Sequence, residues 1–174
     1  MHFKSFSESV QISGEAILST LKALEEYSIS INELLNNHQL TDIKAGQWYD
    51  FQKWLNVLSE VSVKYGPNTI FTLGKGIVNN IPDLKLDFRS LLSTINEGYK
   101  RNHIGGDAGF IELVSFDNEK KEARFKSYTP YPAVYGRGVL VGMIRKFKPV
   151  PGSVPKVEIE TTEDESLSFL IVTW

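Results

Sequence analysis

Cysteine is absent from the 174 residues, histidine occurs three times and methionine twice. Without a thiol the chain forms no disulfide, thiolate metal site, cysteine nucleophile or iron–sulfur cluster. Apolar runs are short, and none nears the roughly 20 residues of a membrane-spanning helix. The start, MHFKSFSESVQIS, offers no apolar core of a secretory signal, so the expected location is the cytoplasm. A surplus of charge is missing too, since 19 basic against 21 acidic residues leave −2. A basic face able to release counterions from nucleic acid is therefore not expected. Catalytic signatures are equally scarce. No carboxylate pair, nucleophile elbow or His-x-x-x-His zinc spacing stands out, and the expectation is a protein that is not an enzyme.

What is present suits one globular domain over residues 1–174, since 41% of the chain is hydrophobic and 23% charged. Residues 14–37 place Ile17, Leu21, Leu24, Ile31 and Leu35 near helical spacing, with Ser13 as the N-cap. After NNHQLTDIKAG, the segment QWYDFQKWLNVLSEVSVKYG repeats Trp48, Phe51, Leu55, Leu58 and Val61 and stops at Gly66–Pro67. A third helix is expected over 68–80 and a fourth over 88–101, the latter through Leu91, Leu92, Ile95 and Tyr99. The period then falls to two: AGFIELVSFDNEKKEARFKSYTP reads as two strands around the turn DNEKK. YPAVYGRGVLVGMIRKFK returns to helical spacing, and PVPGSVP holds neither helix nor central strand. KVEIETT and SLSFLIVTW close the chain as a hairpin around Glu163, Asp164 and Glu165. This order describes an α+β fold. An N-terminal helical part, 1–65, packs on an antiparallel sheet of about four strands, with a helix inserted between two β-hairpins.

Chemistry-bearing side chains concentrate in few places. YKRNHIGGDAGF, residues 99–110, reads as a glycine C-cap, a turn favoured by Asn102 and Asp107, and a strand start, with Arg101 and His103 complementing the helix dipole. The other readings of that stretch are a pocket mouth lined by His103 and Arg101, and a His103–Asp107 acid–base pair. Trp48, Tyr49, Phe51 and Trp54 form a helix-spaced aromatic cluster that serves as core or as pocket wall. Gly136, Gly138 and Gly142 imitate a dinucleotide fingerprint, but the spacing and the missing βαβ unit point to close approach of a helix to the sheet.

LLSTINEGY, the following strand pair, YPAVYGRGVLVGMIRKF and the closing hairpin together resemble one superfamily over about residues 66–174. It includes haem–nitric-oxide-binding domains, 4-vinyl-reductase-type ligand-binding domains and TRAPP vesicle-tethering subunits. The resemblance implies a ligand-binding core. In the haem branch a histidine on the helix before the first strand ligates iron, and Tyr-x-Ser-x-Arg holds the propionates. Here Tyr99 falls at the ligand position, and the matching motif is Tyr131, Ala133 and Tyr135. The ligand histidine, the serine and the arginine are thus all replaced, with His103 and Arg137 as substitutes nearby. The cysteine centre of the 4-vinyl-reductase branch is excluded. The expectation is a non-catalytic small-molecule-binding or sensory module without a cofactor, haem included. Its pocket would be lined by Tyr99, Tyr131, Tyr135, Trp48, Phe51 and Trp54, with His103 and Arg137 close by. The ligand would be a small hydrophobic or aromatic molecule, and a homodimer would form through the aromatic second helix. Two other readings stand beside it: a protein-interaction scaffold with a filled pocket, and a haem-binding gas sensor with atypical ligation.

Overall fold

A computed structural model describes residues 2–26, 31–148 and 151–174. A short strand β1 (Gln11–Ser13) leads into α1 (Gly14–Glu26), followed by α2 (Asn32–Asn37), β2 (Trp48–Asp50) and α3 (Phe51–Tyr65). Helix α4 (Pro67–Ile77) runs into a 3₁₀ turn at Val78–Asn80, and α5 spans Phe88–Arg101. Then come β3 (His103–Ile104), β4 (Phe110–Asp117), β5 (Glu122–Tyr128), α6 (Ala133–Phe147), β6 (Lys156–Thr161) and β7 (Leu167–Thr173).

Local chemistry sets the helix starts. Asp50 accepts a hydrogen bond from Lys53 N at 2.9 Å and Asp87 one from Ser90 N at 2.9 Å, satisfying donors that have no intrahelical partner. Ser13 Oγ does the same for Ala16 N at 3.2 Å, as the sequence suggested. Gly66, with φ 87°, adopts a left-handed conformation that lets α4 begin at once with Pro67 at its first turn.

The main sheet is antiparallel with strand order β4-β5-β7-β6, and α6 joins its two hairpins. Period-two patterning holds: Ala123, Phe125 and Ser127 of β5, like Ser168, Leu170 and Val172 of β7, point into the core. Ala123, Phe125, Leu170 and Val172 pack with α5 and α6 into one apolar cluster, while Phe51, Trp54, Leu55 and Leu58 of α3 centre a second one with α1 and α4. Tyr99 on α5 packs against both.

The α+β class, the four-stranded sheet and the helix between two hairpins match the sequence reading. Three details differ. The helix expected over 14–37 is two helices, and residues 27–30 lie outside the described residues. The helix expected from Gln47 begins at Phe51, because Trp48 and Tyr49 pair with Ser13 and Ile12 in a three-stranded sheet of order β2-β1-β3. And α6 approaches α4 with Gly138 and Gly142, not the sheet: a Cβ on Gly138 would lie 2.2 Å from the Phe71 carbonyl oxygen. Gly74 of α4 reciprocates, its added Cβ falling 2.2 Å from the Tyr135 carbonyl. Among the described residues no helix is long and apolar enough to cross a membrane.

This crossing yields a prediction of opposite signs. Gly138→Ala must push the two helix backbones apart, and a loss of about 1–3 kcal/mol in denaturant unfolding is expected. Gly98→Ala meets nothing within 4 Å on its helix. It gains stability by roughly 0.5–1 kcal/mol from helix propensity alone. A neutral Gly138→Ala would show that the helices are not in backbone contact.

Candidate functional site

Between the helical layer and the sheet lies a cavity of about 500 Å³, bounded by α1, α5, α6, β5 and the 80–86 segment. Ile77, Ile81, Leu84, Ile95, Val139 and Met143 make much of its wall apolar. Lys146 holds the carbonyl oxygens of Val78, Asn79 and Ile81, so one ammonium fixes the loop that closes this side.

The polar side of the cavity is built around His103. Strand β3 is only two residues long, yet its register is set by pairing: Ile12 of β1 faces Tyr49 on one side and His103 on the other. Ser13 reinforces the junction, donating its hydroxyl to Asn102 Oδ1 at 2.6 Å and its backbone N–H to the Asn102 carbonyl at 3.0 Å. His103 is thereby carried just past the end of α5. Its Nδ1 lies 2.8 Å from the Tyr99 carbonyl oxygen and its Nε2 lies 3.0 Å from the Tyr131 hydroxyl. A carbonyl can only accept, so Nδ1 carries the proton and Nε2 accepts from Tyr131. The Tyr99 ring stacks on the imidazole at 4.3 Å and Phe51 meets it edge-on at 4.7 Å. Tyr135 stacks on Tyr131 at 4.7 Å.

Burial governs the electrostatics of this cluster. Removal from water pushes the His103 pKa down to about 4, against a smaller opposing effect of its bond to the Tyr99 carbonyl. Burial pushes the Tyr135 phenol up to about 12 and those of Tyr99 and Tyr131 well above the ordinary tyrosine value. The Tyr99 hydroxyl donates to the Ala108 carbonyl. At neutral pH the site therefore holds one neutral imidazole and three neutral phenols. Glu15, Glu97 and Arg101 also border the cavity and bring charge to it.

The structure brings Tyr99, His103, Tyr131, Tyr135 and Trp54 to one cavity, with Phe51 behind the imidazole. It places two expected residues elsewhere. Trp48 is 38% exposed on β2, turned out by the strand that replaces the expected helix start. Arg137 lies on the far side of α6 with its guanidinium 5.4 Å from the centre of the Phe71 ring. His103 does not pair with Asp107, which instead accepts from Gly109 N at 2.9 Å and shapes the turn before β4. Nor does a glycine end α5; Asn102 caps it, and Gly105 takes the left-handed turn only after β3. The aromatic face of α3 is buried within the chain, which removes it as a dimer surface. Thr20, Ser127 and Thr129 were missed as cavity residues. Ser127 did carry a signal, a hydroxyl at an inward position of a strand; it is 4% exposed. Among the described residues no three His, Asp or Glu side chains converge to hold a metal ion.

No protein-family model matches the sequence, and no curated protein matches it. Solved structures do match. An oxygen-binding H-NOX domain related to soluble guanylate cyclases, in its oxygen complex, aligns over 92% of this chain and 93% of its own with a TM-score of 0.70 at 17% identity. A structure concerned with modulating haem redox potential through protein-induced porphyrin distortion aligns over 92% and 98% with a TM-score of 0.66 at 16% identity. An H-NOX mutant from T. tengcongensis aligns over 90% and 92% with a TM-score of 0.63 at 17% identity. The chain therefore has an H-NOX-like fold, and the alignments run well beyond residues 66–174 into the N-terminal helices. They favour the haem–nitric-oxide-binding branch of the resemblance and lend nothing to the 4-vinyl-reductase or tethering branches. The expectation of a chain without a cofactor is corrected by the same finding, because the domains that share this fold are haem proteins.

The buried imidazole makes stability depend on pH in the ligand-free protein. The unfolded chain protonates His103 near the ordinary histidine value of 6.5, the folded chain only near 4. Stability is thus present above about 6.5 and is lost as pH falls toward 4, by on the order of 3 kcal/mol. Urea unfolding of wild type and His103→Asn from pH 7 to 4 checks this: the wild-type curve should fall more steeply. Parallel curves would mean that the imidazole is hydrated or charged in the folded state.

Proposed function

We propose that the chain is a non-catalytic sensor module that holds haem in this cavity and reads a small ligand through it. The observation that carries the reading is the state of His103 at the cavity wall. It is a neutral imidazole whose Nδ1–H is anchored on the Tyr99 carbonyl at 2.8 Å. That anchoring orients metal-ligating histidines, because it fixes the tautomer and leaves the Nε2 lone pair for the metal.

The rest of the wall fits a flat, largely apolar group. The volume of about 500 Å³ lies within the usual range of small-molecule sites. Ile77, Ile81, Leu84, Ile95, Val139 and Met143 offer apolar contact. Arg101, also at the cavity, would meet a carboxylate there, a role that Arg137 is too far round α6 to fill. Tyr99 is unsuited to ligation, since its hydroxyl is committed to Ala108 and burial keeps it protonated. When bound, haem would supply an iron able to take a diatomic gas. The chain's own part is to orient the imidazole, exclude water and keep the interior neutral. Ligation at Nε2 would displace the Tyr131 hydroxyl and give up a neutral hydrogen bond of about 1 kcal/mol.

The test is reconstitution with haemin followed by absorption spectroscopy. Wild-type protein should develop a sharp Soret band at one haemin per chain, and His103→Ala should lose most of it. A Tyr99→Phe variant should keep it. If wild type gives only the broad spectrum of free haemin, or if His103→Ala binds as well as wild type, the reading fails.

A further inference from the structure

Every polar group that touches His103 has a second partner or none to lose, except one. The Tyr99 carbonyl takes the Nδ1 proton, and the Tyr99 hydroxyl is committed to Ala108. The Tyr131 hydroxyl, by contrast, donates its single proton to His103 Nε2 at 3.0 Å, the one nitrogen with a free lone pair. Its ring is held in place independently of that bond. Tyr135 stacks on it at 4.7 Å with the planes 15° apart, Phe51 leans on it at 5.4 Å, and its backbone carbonyl receives the Thr129 hydroxyl. The tyrosine is only 6% exposed.

We propose that Tyr131 is a competitor built into the site: its hydroxyl occupies the His103 lone pair and sets how strong a metal centre must be to take it. This deepens the haem reading and rests on it. The lone pair cannot serve the phenolic proton and a metal at once, so binding is an exchange. A Lewis acid that bonds imidazole strongly enough displaces the phenol, while a weakly bonding metal does not. Because the phenolic oxygen lies on that same lone pair at 3.0 Å, the Tyr131 side chain would have to swing aside, giving up its hydrogen bond, for a metal to bond there. Tyr131 thus acts as a specificity-determining residue. In the resemblance to haem–nitric-oxide-binding domains its position belongs to a propionate-holding motif; here its hydroxyl is turned to the histidine.

Tyr131→Phe separates competition from mere support, because the two move affinity in opposite directions. Haemin titrations of ligand-free wild type and Tyr131→Phe, read by the Soret band, should show the variant binding roughly three- to tenfold more tightly. Ligand-free Tyr131→Phe should at the same time unfold at a lower temperature, since Nε2 loses its donor. The double variant Tyr131→Phe/His103→Ala should lose the gain, which places the effect on the histidine. Haemin binding by the variant alone, with none by wild type, would support the proposal in its strongest form. Wild type that binds through His103 while Tyr131→Phe binds equally or more weakly overturns this inference and leaves the haem reading standing. If neither protein develops a Soret band, the haem reading falls and takes the inference with it.

Discussion

The site depends on hiding an imidazole from water without leaving either nitrogen bare. His103 meets that constraint with two bonds, to a carbonyl at the end of α5 and to a hydroxyl just before α6. These bonds draw together segments that belong to different apolar clusters. Tyr131 belongs to the cluster centred on α3, and Tyr99 touches both that cluster and the one between α5, α6 and the sheet. The two layers are therefore pinned at one polar point, and the cavity opens beside it. An apolar residue at position 103 would leave the Tyr131 hydroxyl buried without its acceptor, a penalty of about 1–3 kcal/mol.

Holding a cavity open requires rigid surroundings, and the helices supply them by backbone contact. Gly74, Gly138 and Gly142 remove the side chains that would separate α4 from α6, so this part of the wall is made of two helices locked together. Lys146 adds a second restraint, since it gathers the carbonyls of Val78, Asn79 and Ile81 just past the end of α4. A cation near the carbonyls that follow a helix end satisfies hydrogen bonding and dipole together. The same interaction ties down the segment beyond Asn80, whose Ile81, Leu84 and Leu86 face the cavity. Wall stiffness and helix capping come from one side chain.

The large elements were legible in the sequence because their patterns are long. Fourteen residues of α5 and seven or eight of β4, β5 and β7 give periodicity room to declare itself. The small sheet was not legible, because strands of three, three and two residues carry no period at all. That sheet turns Trp48 outward and sets His103 opposite Ile12, so missing it misplaced the first and hid the neighbours of the second. Tyr99, Tyr131 and Tyr135 were found because they fall on the ligand and propionate-motif positions of the family resemblance. The contacts of Tyr99 and Tyr131 with His103 depend on register and distance, which spacing along the chain does not encode. Haem was discounted because the expected histidine was missing from its place on α5. His103 was named as a nearby substitute one helical turn later, but the two-residue strand that carries it past the helix end was too short to foresee.

The chemistry of the cavity follows from its neutrality. Between the pH near 4 at which His103 takes a proton and the pH near 12 at which Tyr135 gives one up, none of the four polar rings changes charge. An apolar group entering this space strips water from no ion, and its association is driven by buried apolar area. Charge is confined to Glu15, Glu97 and Arg101. A ligand with carboxylates is therefore drawn to enter body first, with its anionic end kept beside Arg101 and in reach of water. Turned the other way, it would bury a carboxylate among neutral hydroxyls and methylenes, where no cation answers it. Orientation is thus decided by where the chain places no charge, and among the described residues lining the cavity the one imidazole is that of His103, its Nε2 bonded to the Tyr131 hydroxyl.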